Sequence, residues 1–173
     1  PYAYLRFPWG SNPVTDRLFS SSSFSIVNYG GGFTRIEKIS RLSTWQEYQQ
    51  VVNVCTRSYY HNCCQCEKCI RTMLSYKALA LSVPSTFRNS SLNFMKILTL
   101  KAFQWQEIKD YTTIVKTARR LGRRGGPFFW LVFNIQLNKV VHVLLSIFGK
   151  NNLPGFLTWK SNRSKTYQHD GQG

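Results

Sequence analysis

Cys55-Thr-Arg-Ser-Tyr-Tyr-His-Asn-Cys63-Cys64-Gln-Cys66-Glu-Lys-Cys69 holds every cysteine of the chain. Cys63, Cys66 and Cys69 stand at C-x-x-C-x-x-C spacing, and Cys55 precedes them by one short loop. Two residues between cysteines let a tight turn aim two sulfurs at one ion, and the longer gap lets the chain leave and return. Four thiolates gathered in this way suit a closed tetrahedral Zn(II) site with Cys55, Cys63, Cys66 and Cys69 as ligands. Cys64 directly follows Cys63, so its side chain is expected to point away from an ion that Cys63 holds. An iron–sulfur cluster competes, because the same run plus a remote cysteine is also ferredoxin-like, although no proline follows the last cysteine. A disulfide pair or free thiols form the third reading. The odd cysteine number and the lack of a visible signal peptide argue against a secreted disulfide scaffold and for a cytoplasmic setting.

Upstream of the cluster, Val51-Val52-Asn53-Val54 reads as a buried strand that delivers Cys55 to the metal. Thr34-Arg-Ile-Glu37 is a capping box, a hydroxyl at the N-cap and a carboxylate three residues on, and it starts a short helix through about Leu42. Trp45 to Tyr48 leads on from it. Phe24 to Tyr29 reads as a short strand ended by Gly30-Gly31-Gly32, a turn that can cradle phosphate but is more often only a flexible turn. Strand, turn, helix, strand is the grammar of an α/β unit. Residues 1–23 carry Pro1, Pro8, Gly10, Pro13 and the Ser20–Ser23 run, and so read as loop. Phe7, Trp9, Leu18 and Phe19 make that loop too apolar for a free tail, so it is expected to order against something.

Downstream, Ile70, Met73, Leu74, Lys77, Ala78 and Leu81 recur at helical spacing, and Pro84 marks the stop. Cys69 then sits in the first turn, where backbone N–H groups favour a thiolate. Arg57, Lys68 and Arg71 can offset the charge of a tetrathiolate site. Residues 85–97 form a Ser/Asn-rich connection. A second helix runs from about Leu100 to Leu121, with Arg119, Arg120, Arg123 and Arg124 crowding its end. Gly125-Gly126 breaks the chain, Pro127 restarts it, and Gly149 closes a third helix. Residues 128–148 are apolar and long enough to approach a bilayer's thickness. The stripe of Asn134, Asn138 and His142, flanked by Lys139 and Ser146, makes that helix amphipathic rather than spanning. Packing into a helical subdomain is the first expectation, and lying on a membrane surface is the second.

Charge sharpens the partner question. The net charge is +16, and from residue 101 to the end Lys and Arg far outnumber Asp and Glu. A chain this basic is drawn to polyanions such as nucleic acid or anionic lipid, and Arg119, Arg120, Arg123 and Arg124 are the expected contact. From Lys150 the sequence is polar and basic, and disorder is expected after about Thr158.

The segment Asn62-Cys-Cys-Gln-Cys-Glu-Lys-Cys-Ile-Arg-Thr-Met-Leu74 resembles the Cys-Gly-x-Cys-x-x-Cys-x-x-Arg zinc element near the C-terminus of cyano-deazaguanine synthases. Those enzymes belong to the PP-loop ATP pyrophosphatases, of the adenine-nucleotide alpha-hydrolase-like fold. Together with Phe7-Pro-Trp-Gly-Ser-Asn-Pro13 and Arg35-Ile-Glu-Lys-Ile39, the arrangement is closer still to relatives associated with bacterial polysaccharide gene neighbourhoods. The likeness covers roughly residues 1–82, and the cysteine spacing is its one specific part. It implies an α/β fold: 1–84 as the C-terminal part of a Rossmann-like domain with a four-cysteine zinc element, 85–149 as a helical extension, and 150–173 as a basic tail. It also implies a longer parent that adenylates a substrate with ATP and Mg(II) and releases pyrophosphate. The Ser-Gly-Gly-x-Asp-Ser loop that grips pyrophosphate in that family is absent here, so the missing N-terminal half of the same protein is the expected partner and this chain alone is expected to be inactive. Within the chain, Trp9, Ser11, Asp16, Arg35 and Lys38 are candidate pocket residues, with Ser11 and Arg35 foremost. Cys64 departs from the family, standing where glycine is usual. Apart from the family, the composition supports a different reading, a zinc-stapled basic module that binds nucleic acid or an anionic membrane surface.

Overall fold

The computed structural model describes residues 14–100 and 105–148, and among them there are six α-helices and no strand. The helices are α1 (Arg35–Leu42), α2 (Gln46–Val51), α3 (Glu67–Ala78), α4 (Phe94–Leu98), α5 (Trp105–Arg120) and α6 (Pro127–Phe148). The expected α/β, Rossmann-like architecture is therefore overturned for this part of the chain. The physical reason lies in the two expected strands. A strand needs a neighbour to take its backbone groups. Residues 24–28 form no strand, and their polar groups are taken locally: across a bend at 22–23, Ser21 N–H donates to the Phe24 carbonyl and Ile26 N–H to Ser20 Oγ. Val51 closes α2, and Val52 to Val54 run extended against a side chain, not against a strand. Trp9, Ser11, the rest of residues 1–13 and the basic tail from 149 lie outside the described residues.

Where the sequence carries helix chemistry, the elements follow it. The Thr34 and Glu37 capping box is complete: Thr34 N–H donates to Glu37 Oε2 at 2.7 Å and Glu37 N–H to Thr34 Oγ1 at 3.4 Å. α1 runs from there to Leu42, as the box predicts. α3 begins at Glu67, immediately after Cys66, and ends before Ala80, which adopts a left-handed φ of 63°. Gly122 (φ 74°) ends α5, and α6 opens on Pro127. α4 is one short turn inside what reads as a connection; Asn93 caps it by accepting the Lys96 N–H.

The helices share one core. Ile36 of α1, Ile70, Met73 and Leu74 of α3, Ile97 of α4, Tyr111, Ile114 and Ala118 of α5, and Leu131 and Ile135 of α6 are buried together. Cys64, Cys66 and Cys69 belong to the same cluster, so the metal region is continuous with the core. Two polar contacts fix α3 on α5. Tyr111 donates its hydroxyl to Glu67 Oε1 at 2.7 Å, and Arg71 Nη1 donates to Asp110 Oδ2 at 3.0 Å. Burial and the neighbouring Glu67 carboxylate hold the Tyr111 phenol well above its usual range, so it remains a donor.

α6 packs Phe128, Leu131 and Ile135 on the core, yet its polar stripe does not simply face water. Asn134 and Asn138, from the polar stripe, face inward. Asn134 Nδ2 donates to the carbonyls of Leu98 (2.9 Å) and Leu100 (3.0 Å), which are left open where α4 ends. Asn138 Nδ2 donates to the Asn134 carbonyl and to Asn134 Oδ1. Asn134 is thus a buried clasp between α6 and the end of α4, backed by Asn138, and an apolar face of α6 is left outward.

Candidate metal centre

Four cysteine sulfurs converge at the head of α3. The Sγ atoms of Cys55, Cys63, Cys66 and Cys69 all lie within 4.8 Å of one another. A tetrahedral ion with metal–sulfur bonds of about 2.3 Å has sulfur–sulfur edges of about 3.8 Å, so shifts of at most about 1 Å close the four on one ion. Each of the four cysteines has its own local origin. Cys55 ends the extended segment after α2, where its N–H donates to Asn53 Oδ1. Cys63 and Cys66 flank a tight turn, with Cys66 at the N-cap of α3. Cys69 lies in the first turn of that helix, fully buried.

Backbone donors surround the sulfurs. Arg57 N–H donates to Cys55 Sγ at 3.3 Å, and Cys66 N–H donates to Cys63 Sγ at 3.3 Å. The N–H groups of Thr56 and Cys69 face Cys66, and that of Cys64 faces Cys69. Such donors stabilise thiolate charge without a counterion. Burial pushes the Cys66 thiol up, but the hydrogen bonds from Thr56 and Cys69 outweigh it and bring it down to about 6. For Cys55 too, burial opposes ionisation, yet N–H and S–H donors lower it. Cys63 is raised, by burial foremost. Cys69 is raised far, by burial and by the hydrogen bond and charge of neighbouring sulfurs. This is the pattern of thiols crowded together, where the first to ionise hold up the rest. A cation in their midst reverses that balance.

Asn62 organises the site, although its place in the sequence announced nothing of this role. Its side chain is buried. Oδ1 accepts the Val54 N–H at 2.9 Å, and Nδ2 donates to the Val52 carbonyl at 2.9 Å and to Thr86 Oγ1 at 3.2 Å. One amide thus does for Val52 and Val54 what a neighbouring strand would do, and it locks the Cys55 arm to the Cys63 turn. A second clamp holds the intervening loop: Asn53 Nδ2 donates to the Tyr59 carbonyl at 2.8 Å, and Ser58 Oγ lies 3.1 Å from His61 Nδ1. Tyr59 and Tyr60 at the loop's tip are almost fully exposed.

Cys64 stands apart from the four converging cysteines. It is buried, its Sγ donates to the Asn62 carbonyl at 3.3 Å, and its backbone takes a left-handed φ of 57°. That conformation is ordinary for glycine and disfavoured for a side chain, so the turn between ligands is strained where cysteine stands.

The other expected site residues divide. Arg35 Nε lies 3.7 Å from Asp110 Oδ2, in a small cleft lined by Thr34, Ser75, Asp110 and Thr113 on the α1 and α5 side of α3. Asp16 is buried and accepts from Asn28 Nδ2 at 3.1 Å. The Cε and Nζ end of Lys38 lies beside Gly30. Neither Asp16 nor Lys38 lines the cleft that holds Arg35. Arg71, expected to offset the thiolates, spends its charge on Asp110 and Glu67 instead. Comparison of the chain with protein-family models, with curated proteins and with solved structures finds no match.

Proposed function

We propose that the chain is a zinc-stapled helical module whose metal is structural. The observation that carries this reading is the donor set: four thiols within 4.8 Å of one another, with no carboxylate or imidazole among them. Zn(II) favours such a closed sulfur tetrahedron and has no redox chemistry to lose by it. An iron–sulfur cluster bonds its cysteines to different irons and so spreads their sulfurs wider than a single ion does. The ligands Cys55, Cys63, Cys66 and Cys69 tie the segment after α2 to the first turn of α3, and a metal there contributes directly to folding. Metal analysis of the purified chain tests the reading. Zinc at one ion per chain, with loss of helical signal on chelation, is the expected result. A brown protein carrying iron and labile sulfide would overturn it.

A second reading has its own support. From residue 14 to 33, Val14, Leu18, Phe19, Phe24, Val27 and Tyr29 are all exposed, more apolar surface than a lone helical unit of this size ordinarily leaves open. Such a segment suits a chain that packs against further protein. With the zinc-element resemblance, it favours a role as the zinc-bearing part of an ATP-dependent adenylating enzyme, with ATP and Mg(II) bound by the PP-loop half. On this reading the chain alone catalyses no ATP–pyrophosphate exchange, and adding a segment with the Ser-Gly-Gly-x-Asp-Ser loop restores it. Exchange by the isolated chain, abolished by Arg35→Ala, would refute the reading.

A further inference from the structure

The outward face of α6 and the arginine turn that precedes it form an exposed surface made of elements other than those of the four-cysteine cluster. Phe129, Phe133, Val140 and Val143 are each more than half exposed and recur along one stripe, interrupted only by Gln136. Trp130 flanks the stripe. Its ring lies 5.2 Å from that of Phe129 and 5.6 Å from that of Phe94 on α4, whose neighbour Met95 is also exposed. The patch thus spans two helices. It is not an accident of a helix free to roll, because Asn134 and Asn138 are locked inward by their hydrogen bonds.

Charge identifies what covers it. Between residues 111 and 148 the sequence holds Lys116, Arg119, Arg120, Arg123, Arg124 and Lys139, and no Asp or Glu. The four arginines are exposed at the end of α5 and in the turn that opens α6. A second copy of the chain would bring two such clusters and a net +16 on each partner towards one another. A nucleic acid would satisfy the arginines, but Val140 and Val143 offer nothing to a phosphate backbone. An anionic bilayer satisfies both parts, its headgroups meeting the arginines and its acyl boundary taking the apolar stripe. No helix among the described residues is long and apolar enough to cross a membrane, so α6 would lie in the plane of the interface. We propose that α6 and the Arg119–Arg124 turn dock this chain onto an anionic lipid surface.

The test uses the full, metal-loaded chain with vesicles of phosphatidylcholine, with and without phosphatidylserine. Binding is expected only to the mixed vesicles and falls as salt rises. Arg→Gln at 119, 120, 123 or 124 should each weaken it about fivefold. Phe129→Ser and Phe133→Ser should each weaken it roughly tenfold, with helical signal and metal content unchanged, since both side chains are exposed. Brominated acyl chains should quench Trp130, and Trp130→Phe should remove that quenching. Failure to bind mixed vesicles overturns the proposal, as does binding that ignores both Phe substitutions. An oligonucleotide that displaces the vesicles and depends on the arginines but not on Phe129 would assign the surface to nucleic acid instead. A concentration-dependent dimer, lost in Phe133→Ser and indifferent to lipid, would assign it to a second copy.

Discussion

Asn62 Oδ1 accepts the backbone N–H of Val54 at 2.9 Å, and through that bond the two arms of the four-cysteine cluster are held in register. The same amide donates to the Val52 carbonyl. Asn62→Leu keeps the volume and removes both partners, leaving an N–H and a carbonyl unpaired at a cost of about 1–3 kcal/mol each. The four ligands remain, but their arms are no longer aligned, and metal affinity should drop by at least about tenfold. Chelator competition and thermal unfolding measure the two effects separately. Unchanged affinity in a stable Asn62→Leu chain would show that the metal alone orders the site.

Ligand identity is tested by substitution at all five cysteines. Cys55→Ser, Cys63→Ser, Cys66→Ser and Cys69→Ser should each lose the metal. Cys64→Gly should retain it. Relief of a left-handed cysteine is worth about 1–2 kcal/mol, and loss of a small buried side chain costs about 1 kcal/mol. Stability should therefore change little, with a slight gain. If Cys64→Gly emptied the site while Cys63→Ser kept it, the ligand register would be shifted by one.

Much of this site was legible because its chemistry is local. C-x-x-C-x-x-C fixes three sulfurs within two turns of chain, and the Thr34 and Glu37 box fixes the start of α1 in the same way. The expected strands do not form, because short apolar runs such as Val51 to Val54 look alike in sequence whether a strand or a side chain takes their backbone groups. Asn62 was invisible for the same reason: its role depends on residues eight and ten positions away in sequence that only the fold brings near. α5 is long enough to show in the sequence, where the arginine cluster and Gly122 mark its end, whereas α4 is too short to carry a helical period.

The α3–α5 clasp gives a sharper test of Arg71. Its side chain is about nine-tenths buried, with Nη1 bonded to Asp110 and Nε 3.2 Å from Glu67. Asp110→Ala leaves that guanidinium with one carboxylate and should destabilise the fold by about 3 kcal/mol. Arg35, more exposed and 3.7 Å from the same carboxylate, contributes much less, and Arg35→Ala should cost at most about 1 kcal/mol. Denaturant unfolding of the two variants decides between this and a shared role. Equal losses would mean that Arg35 and Arg71 hold Asp110 jointly.

The orientation of α6 decides how its polar stripe acts, and Asn134 is the position that reports it. If the stripe faced water, Asn134→Leu would be neutral, as exposed substitutions ordinarily are within about 0.5 kcal/mol. In the fold described here Asn134 is fully buried, and its Nδ2 serves the carbonyls of both Leu98 and Leu100. Leucine matches its size but donates nothing, so two carbonyls where α4 ends are left without that donor, at about 1–3 kcal/mol each. Asn138 also loses the Oδ1 it donates to and keeps only the backbone carbonyl of residue 134. Asn134→Leu should therefore destabilise the chain by several times the effect of Gln136→Leu, two positions on and exposed. Urea unfolding of the pair measures the difference. Equal stability in the two variants would mean that α6 is rotated, with its asparagines in water and its phenylalanines in the core.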